Sequence, residues 1–190
     1  MPVESYQDWV QLDFIIAVLL TVIIPLILLF SSFGHQNLIA RILAYWRVSA
    51  LLAITVYLLM AEISLGLITG VVARLLIPPV LWLGDGLMQS TTHLHRNSTV
   101  VYKAFSAWRI ALTLYCIAGV IFTLPLLTCG LSGQVSAKCA SWYVPPQKFG
   151  TLLHEPEDWQ TFGEVALFAL LIYAFYLLVA IYKSIAIHQN

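Results

Sequence analysis

The chain has 190 residues, of which 61% are hydrophobic and only 9% carry a charged side chain, and its mean hydropathy is +0.89. Soluble domains are typically about 25% charged, so this sequence has too little polar surface to remain in water. Its formal net charge of zero leaves no basic field for nucleic acid. We therefore expect one integral membrane domain over residues 1–190, surrounded by lipid and without a nucleic-acid partner.

Four stretches are long and apolar enough to cross a membrane, which takes about 20 residues and at least about 17. They are residues 14–30, 45–61, 110–127 and 162–182. Pro25 interrupts the first stretch, which membrane helices tolerate when neighbouring groups satisfy the freed carbonyls. Residues 128–161 lie between the last two stretches and are predicted to form a long outer loop.

Residues 66–83, GLITGVVARLLIPPVLWL, are harder to interpret because Arg74 and the pair Pro78-Pro79 interrupt the apolar run. The segment is just long enough to cross if the turn before it is short. The sequence thus predicts an all-α membrane protein, a bundle of about five transmembrane helices. The alternative is four helices plus one re-entrant or interfacial segment.

The distribution of lysine and arginine favours five crossings, because these residues gather on the cytoplasmic side of membrane proteins. If residues 66–83 cross, one side holds Arg41, Arg47, Arg96, Lys103, Arg109 and Lys183. Otherwise these residues are split evenly between the two sides. We predict an outer N-terminus, with Asp13 in the outer arm, and a cytoplasmic C-terminus. Pro78-Pro79 is expected to break the short crossing near its inner end.

Cys129 and Cys139 fall in the predicted outer loop, just after the span 110–127. Five crossings place both cysteines in an oxidising compartment, where a disulfide can persist. We therefore predict that they form a disulfide. Tryptophans near the predicted span ends are expected to act as interfacial anchors; these are Trp46, Trp82, Trp108, Trp142 and Trp159.

Arg74 is the residue most in need of explanation, because a charge near the middle of a span costs about 2.5–3.5 kcal/mol on insertion scales. Glu62 is too far away along the predicted hairpin to pair with it. We expect Arg74 to contact backbone carbonyls, a lipid phosphate or a group of another subunit, with its partner outside this chain. Alternatively, it snorkels to an interface. Gly66 and Gly70 form a GxxxG pair that would allow close approach of a partner helix.

The five histidines, His35, His93, His95, His154 and His188, all fall outside the predicted spans. Haem or chlorophyll held by an in-span histidine is therefore not expected, and His93 with His95 lacks further metal ligands at suitable spacing. We predict no cofactor and no metal, although peripheral pigment or lipid contacts stay open. The chain shows no converging set of catalytic groups, so we predict no catalytic residues and no enzymatic activity.

Two stretches resemble a cyanobacterial integral-membrane family of unknown function. They are YWRVSALLAITVYLLMA from Tyr45 and FSAWRIALTLYCIAGVIFTLPLLTC from Phe105, each with a Trp-Arg pair near its start. The resemblance extends over most of the chain and carries no assigned functional residue. It implies a thylakoid or plasma membrane setting, with the outer side being lumen or periplasm.

This resemblance implies a non-enzymatic accessory or assembly factor that docks laterally to a photosynthetic complex of the photosystem type. The alternative hypothesis is a small carrier, channel or lipid-handling protein in which Arg74 contacts an anionic group. The first hypothesis expects a larger membrane complex as partner. The second expects function to depend directly on Arg74.

Overall fold

A computed structural model describes residues 3–33, 35–87, 100–133, 136–152, 155 and 158–188. All regular structure in these residues is helical, and five helices are long and apolar enough to span a membrane. Their apolar stretches are Tyr6–Ser31, Gln36–Met60, Leu65–Leu83, Val100–Ser132 and Trp159–Val179. The predicted five-helix architecture is therefore confirmed. The predicted features at His93, His95, Arg96 and His154 lie outside the described residues.

The first long helix starts earlier than the sequence predicted. It comprises α1 (Val3–Val18), a π-helical turn (Leu19–Ile23) and α2 (Ile24–Ser31). The prediction that Asp13 lies in an outer arm is wrong, because Asp13 is inside this helix and within its apolar stretch. The helix tolerates this carboxylate because Arg74 of another helix lies 2.7 Å from it.

Pro25 causes the irregularity of the first helix, and two side chains compensate for it. Proline has no N–H, so the single backbone donor that could serve the Thr21 carbonyl in an α-helix, or the Leu20 carbonyl in a π-helix, is missing. The Tyr45 hydroxyl donates to the Thr21 carbonyl at 2.8 Å. The Trp108 indole Nε1 donates to the Leu20 carbonyl at 2.8 Å. Neighbouring helices thus satisfy the groups that Pro25 frees, as the sequence predicted.

Helices α3 (Gln36–Met60) and α4 (Leu65–Leu87) form a tight hairpin. Its turn includes Glu62 in the left-handed region, with a φ of 59°. The prediction that Pro78-Pro79 breaks the helix is wrong, because α4 continues through both prolines to Leu87. Each proline removes one N–H donor from a helix, so the pair removes two, but this does not end a helix whose backbone is held by tertiary packing.

The remaining elements surround this hairpin. Helix α5 (Val100–Thr123) packs on α4 and runs through a 3₁₀ turn (Leu124–Leu126) into α6 (Leu127–Ser132). The predicted outer loop contains the short helices α7 (Ala137–Ala140) and α8 (Val144–Gly150), and α8 packs on α1 and α3. Helix α9 (Trp159–His188) packs on α3.

The buried apolar side chains form two clusters, one toward each end of the bundle. One cluster includes Ile42, Ile77 and Leu112, and the other includes Leu59, Leu67 and Trp142. Along α4, Arg74 lies between Leu67 of one cluster and Ile77 of the other. The charged residue therefore occupies the level at which the two apolar clusters meet.

The compensation of Pro25 by Tyr45 gives a prediction about stability. The substitution Tyr45→Phe leaves the buried Thr21 carbonyl without its donor, which should lower the free energy of unfolding by about 1–3 kcal/mol. In a Pro25→Ala background the helix regains its own N–H, so the same substitution should cost much less. Thermal unfolding of the four variants in detergent measures this coupling. Equal costs in both backgrounds would contradict the explanation.

Candidate functional site

Arg74 of α4 pairs with Asp13 of α1 in the interior of the helical bundle. Its Nη2 lies 2.7 Å from Asp13 Oδ2, and the two side chains are only 10% and 13% exposed. The same nitrogen donates to the Tyr115 hydroxyl at 3.1 Å. That hydroxyl donates in turn to Asp13 Oδ1 at 3.1 Å. Three helices, α1, α4 and α5, are thus joined by one polar cluster.

The prediction that Arg74 finds its partner outside this chain is therefore wrong. Asp13 lies on α1, inside the first long helix and not in an outer arm, and this position brings its carboxylate to Arg74. Asp13 and Tyr115 are the site residues that the sequence reasoning missed. A signal was available, because an in-span arginine calls for a carboxylate, and Asp13 directly precedes the first predicted span.

Close packing fixes the position of the Arg74 side chain. A Cβ added to Gly119 of α5 would lie 2.7 Å from Arg74 Nε, so only glycine leaves enough room for the guanidinium there. The Arg74 guanidinium carbon also lies 5.7 Å from the Tyr115 ring and 5.9 Å from the Trp142 ring. Both distances are within the range of cation–π attraction. The guanidinium is therefore held by aromatic faces as well as by Asp13.

The GxxxG glycines lie within the hairpin of this chain. A Cβ on Gly66 would come within 2.8 Å of the Leu59 side chain, and one on Gly70 within 3.3 Å of Thr55 Cγ2. Both glycines face α3 and allow it to approach α4, so they do not present a surface to a partner. Beside them, the hydroxyls of Thr55 and Thr69 lie 2.9 Å apart and hydrogen bond across the two helices.

The predicted tryptophan anchors differ in their surroundings. Trp108 and Trp142 are only 4% and 7% exposed, so they pack inside the protein instead of facing lipid headgroups. Trp82 is 46% exposed and lies under the guanidinium of Arg109, whose central carbon is 4.1 Å from its ring. Trp46 is partly buried at the wall of the cavity described next, and the side chain of Trp159 is also partly buried.

A cavity of about 590 Å³ lies between the first helix and α3, with α4 as its floor. Its walls are mainly apolar, and Asp13 and Arg74 are the charged residues among the described side chains that line it. Val22, Ile23 and Ala53 also line the cavity and are exposed, which places an opening on the side of the bundle. Volumes of about 300–1,000 Å³ are typical of small-molecule sites.

The segment after α5 covers one end of this cavity. Trp142, Pro145 and Phe149 line it from that side. The predicted disulfide between Cys129 and Cys139 is present, with their Cα atoms 6.6 Å apart. Cys139 comes shortly before Trp142, the first of these covering residues in the chain. Trp142 Nε1 donates to the Tyr6 hydroxyl at 3.0 Å, which ties the cover to α1. The structure therefore closes the cavity at the end that carries the disulfide.

The described residues contain no group of three or more His, Cys, Asp or Glu side chains that could hold a metal ion. Cys116 is free and buried in the apolar cluster around Ile77 and Leu112. Outside the membrane-spanning helices, burial and the nearby charge of Glu62 raise the pKa of the Tyr143 phenol.

The ion pair gives a prediction about stability. The substitution Asp13→Ala leaves the buried charge of Arg74 uncompensated, which should lower the free energy of unfolding by about 3–5 kcal/mol. The double variant Asp13→Ala/Arg74→Leu should recover most of this loss, because no charge is left unpaired. Thermal unfolding in detergent measures both effects, and Asp8→Ala, an exposed acid on the same helix, is the control. An Asp13→Ala variant as stable as Asp8→Ala would contradict the role of the ion pair in stability.

Comparison with known families gives one finding. A family described as "Protein of unknown function (DUF3177)" matches residues 7–186, nearly the whole chain. Comparisons with curated proteins and with solved structures give no match. The match includes all five apolar stretches apart from the first residue of the first one. The resemblance to a family of unknown function is thus supported over its full predicted extent, and the chain belongs to this DUF3177 family.

Proposed function

We propose that this protein is a non-enzymatic membrane protein that binds a lipid-soluble, chain-like molecule in the cavity between its first helix and α3. The observation that carries the proposal is the cavity itself, with its volume of about 590 Å³ and its mainly apolar walls. Specific ligand sites combine such walls with a few placed polar groups. The Asp13–Arg74 pair supplies those groups here.

The position of the opening supports a ligand that arrives from the bilayer. The exposed lining residues Val22, Ile23 and Ala53 belong to long apolar helices, so the entrance faces the region that lipid chains would occupy. The covering segment with Trp142 and Phe149 closes the end near the disulfide. A ligand would therefore enter sideways from the membrane and not from the aqueous side.

The polar groups around the cavity support binding over catalysis. The Asp13 carboxylate accepts hydrogen bonds from Arg74 and Tyr115. The hydroxyl of Thr55 pairs with Thr69, and that of Ser49 donates to the Trp46 carbonyl at 3.2 Å. Groups held in this way are suited to orienting a ligand. Their hydrogen bonds to other protein groups do not leave them free to act as a nucleophile or a base.

Filling the cavity should abolish binding. The substitution Ala53→Trp puts an indole into the lining, while Ala111→Trp adds the same group to an exposed position of α5 outside the cavity. After mild-detergent purification, mass spectrometry and an absorption spectrum should find one lipid-soluble molecule with wild type and Ala111→Trp, and not with Ala53→Trp. A photoreactive hexadecane analogue should label the α4 segment around Leu67, which is only 5% exposed.

Equal retention by Ala53→Trp and Ala111→Trp, together with no labelling around Leu67, would overturn the proposal. The labelling arm is informative on its own, because Leu67 lines the cavity but is shielded from bulk lipid by the surrounding helices. A probe that only coats the outside of the bundle would label exposed residues such as Phe30 and Leu171 and leave Leu67 unlabelled.

A second candidate function is an accessory or assembly factor that docks laterally to a larger membrane complex. An in-span arginine without a partner in its own chain would have supported this function. Arg74 no longer provides that support, because it pairs with Asp13. The observation that now favours it is on α9, where five large side chains repeat at alternating steps of three and four residues. They are Phe168, Leu171, Phe175, Leu178 and Tyr182, each at least 65% exposed. This is the spacing by which one helix packs along another.

For this second function we propose a photosystem-type partner in the thylakoid membrane, with the N-terminus lumenal and the C-terminus cytoplasmic. The support for the orientation is the arrangement of charges in the bundle. Because α4 runs the full length of the hairpin, the starts of α3 and α5 lie at the same end, with Arg41, Arg47 and Lys103. Basic residues favour the cytoplasmic side, and the disulfide near the other end suits an oxidising lumen.

The α9 surface gives a test of this candidate in a cyanobacterial host. The double variant Phe168→Ala/Phe175→Ala should reduce co-purification with a photosystem at least several-fold, because truncating large interface side chains typically costs over 1 kcal/mol each. The control is Phe30→Ala/Phe33→Ala, which truncates two exposed aromatic residues in the last turn of α2 and just after it. Purification of the wild type without a complex, and normal photosystem levels in a deletion strain, would contradict this function.

A further inference from the structure

Within the part of the chain that the structure describes, Arg74 makes its hydrogen bonds from one nitrogen. Its Nη2 donates both to Asp13 Oδ2 and to the Tyr115 hydroxyl. Its Nε is buried against Gly119 and has no acceptor among the described residues. Its Nη1 lies 4.0 Å from the position that a Cβ on Gly70 would occupy. Gly70 lines the cavity, so Nη1 lies beside the cavity wall with two N–H groups to donate.

The charge of Arg74 is already balanced where a ligand would meet it. Asp13 Oδ2 is 2.7 Å from Nη2, and Asp13 and Arg74 both line the cavity. A ligand carboxylate or phosphate would put a second anion next to one cation in an apolar setting, where an unpaired charge is strongly disfavoured. A cationic head would meet the guanidinium itself. The pair therefore offers hydrogen-bond donors without a net charge.

We infer that the cavity takes a ligand whose apolar chain ends in an uncharged hydrogen-bond acceptor, such as a quinone, ketone or ester carbonyl, and that Arg74 Nη1 donates to it. This inference rests on the proposed binding function and names the chemical class of its ligand. The apolar walls formed by residues such as Val18 and Leu52 take up the chain. The unused donors of Arg74 select the head, because a donor left without an acceptor in an apolar cavity is costly.

Competition against the photoreactive hexadecane analogue tests the inference in the intact protein. Four competitors share one chain length and differ in the head: dodecane, methyl decyl ketone, dodecanoate and dodecylamine. The ketone should displace the probe at about a tenfold lower concentration than dodecane, as expected for a hydrogen bond to a charged donor. Dodecanoate and dodecylamine should do no better than dodecane. A decyl benzoquinone and dioctanoylglycerol are assayed in parallel as competitors. The stronger of the two indicates whether the natural ligand presents a ring carbonyl or an ester carbonyl to Arg74.

Changing the charge balance should change the selectivity. In Asp13→Asn the charge of Arg74 is no longer neutralised, so dodecanoate should become the strongest competitor. In Arg74→Lys, which keeps a cation for Asp13 but removes the guanidinium fork, the advantage of the ketone over dodecane should disappear. Asp8→Asn, an exposed acid of α1, should leave the wild-type order unchanged.

The outcomes separate this inference from the function on which it rests. If dodecane and the ketone compete equally in wild type, or if dodecanoate competes best, the inference is overturned while the binding function stands. If the probe never labels the segment around Leu67, the binding function itself fails. Because the wild-type series decides the question alone, instability of the Asp13 or Arg74 variants does not remove the test.

Discussion

The Asp13–Arg74 ion pair is the interaction on which the rest of the bundle depends. Either charge alone would be expensive among apolar helices, so α1 and α4 must meet at this level. Tyr115 adds α5 to the same contact by accepting from Arg74 and donating to Asp13. The pair thus sets the register between three helices, which apolar surfaces alone do not fix, because they slide past one another at little cost. A polar contact between membrane helices has one position at which it is satisfied.

Several other features follow from holding this pair in place. Gly119 leaves the space that the Arg74 side chain fills, and Gly66 and Gly70 draw α3 toward α4. The first helix packs on α5 through its π-helical turn and α2, its middle stays apart from α3, and the cavity occupies the space between them. The charged pair lines this cavity, so the contact that joins α1 to α4 also supplies the polar part of the cavity wall. The covering segment and its disulfide then close one end.

The sequence predicted the architecture well and the site poorly, for a physical reason. Apolar length is a local property, so the five helices and the crossing of residues 66–83 could be predicted from hydropathy and charge alone. The disulfide followed from the same sidedness argument. The partner of Arg74 is a tertiary property, and the sequence analysis placed Asp13 in an outer arm, just before the predicted span 14–30. The continuation of α4 through Pro78-Pro79 was missed likewise, because proline stops a helix in isolation more reliably than in a packed bundle.

The irregular first helix also has a consequence for how the chain assembles in the membrane. It is synthesised before α3, α4 and α5, yet three of its polar groups find their partners on those later helices. The Thr21 carbonyl accepts from Tyr45 on α3, the Asp13 carboxylate from Arg74 on α4, and the Leu20 carbonyl from Trp108 on α5. Until α5 has been made, this helix carries unsatisfied hydrogen-bonding groups, which water or the insertion machinery must satisfy. This helix therefore precedes α3, α4 and α5 in synthesis, but its hydrogen bonds are complete only after α5 has been made.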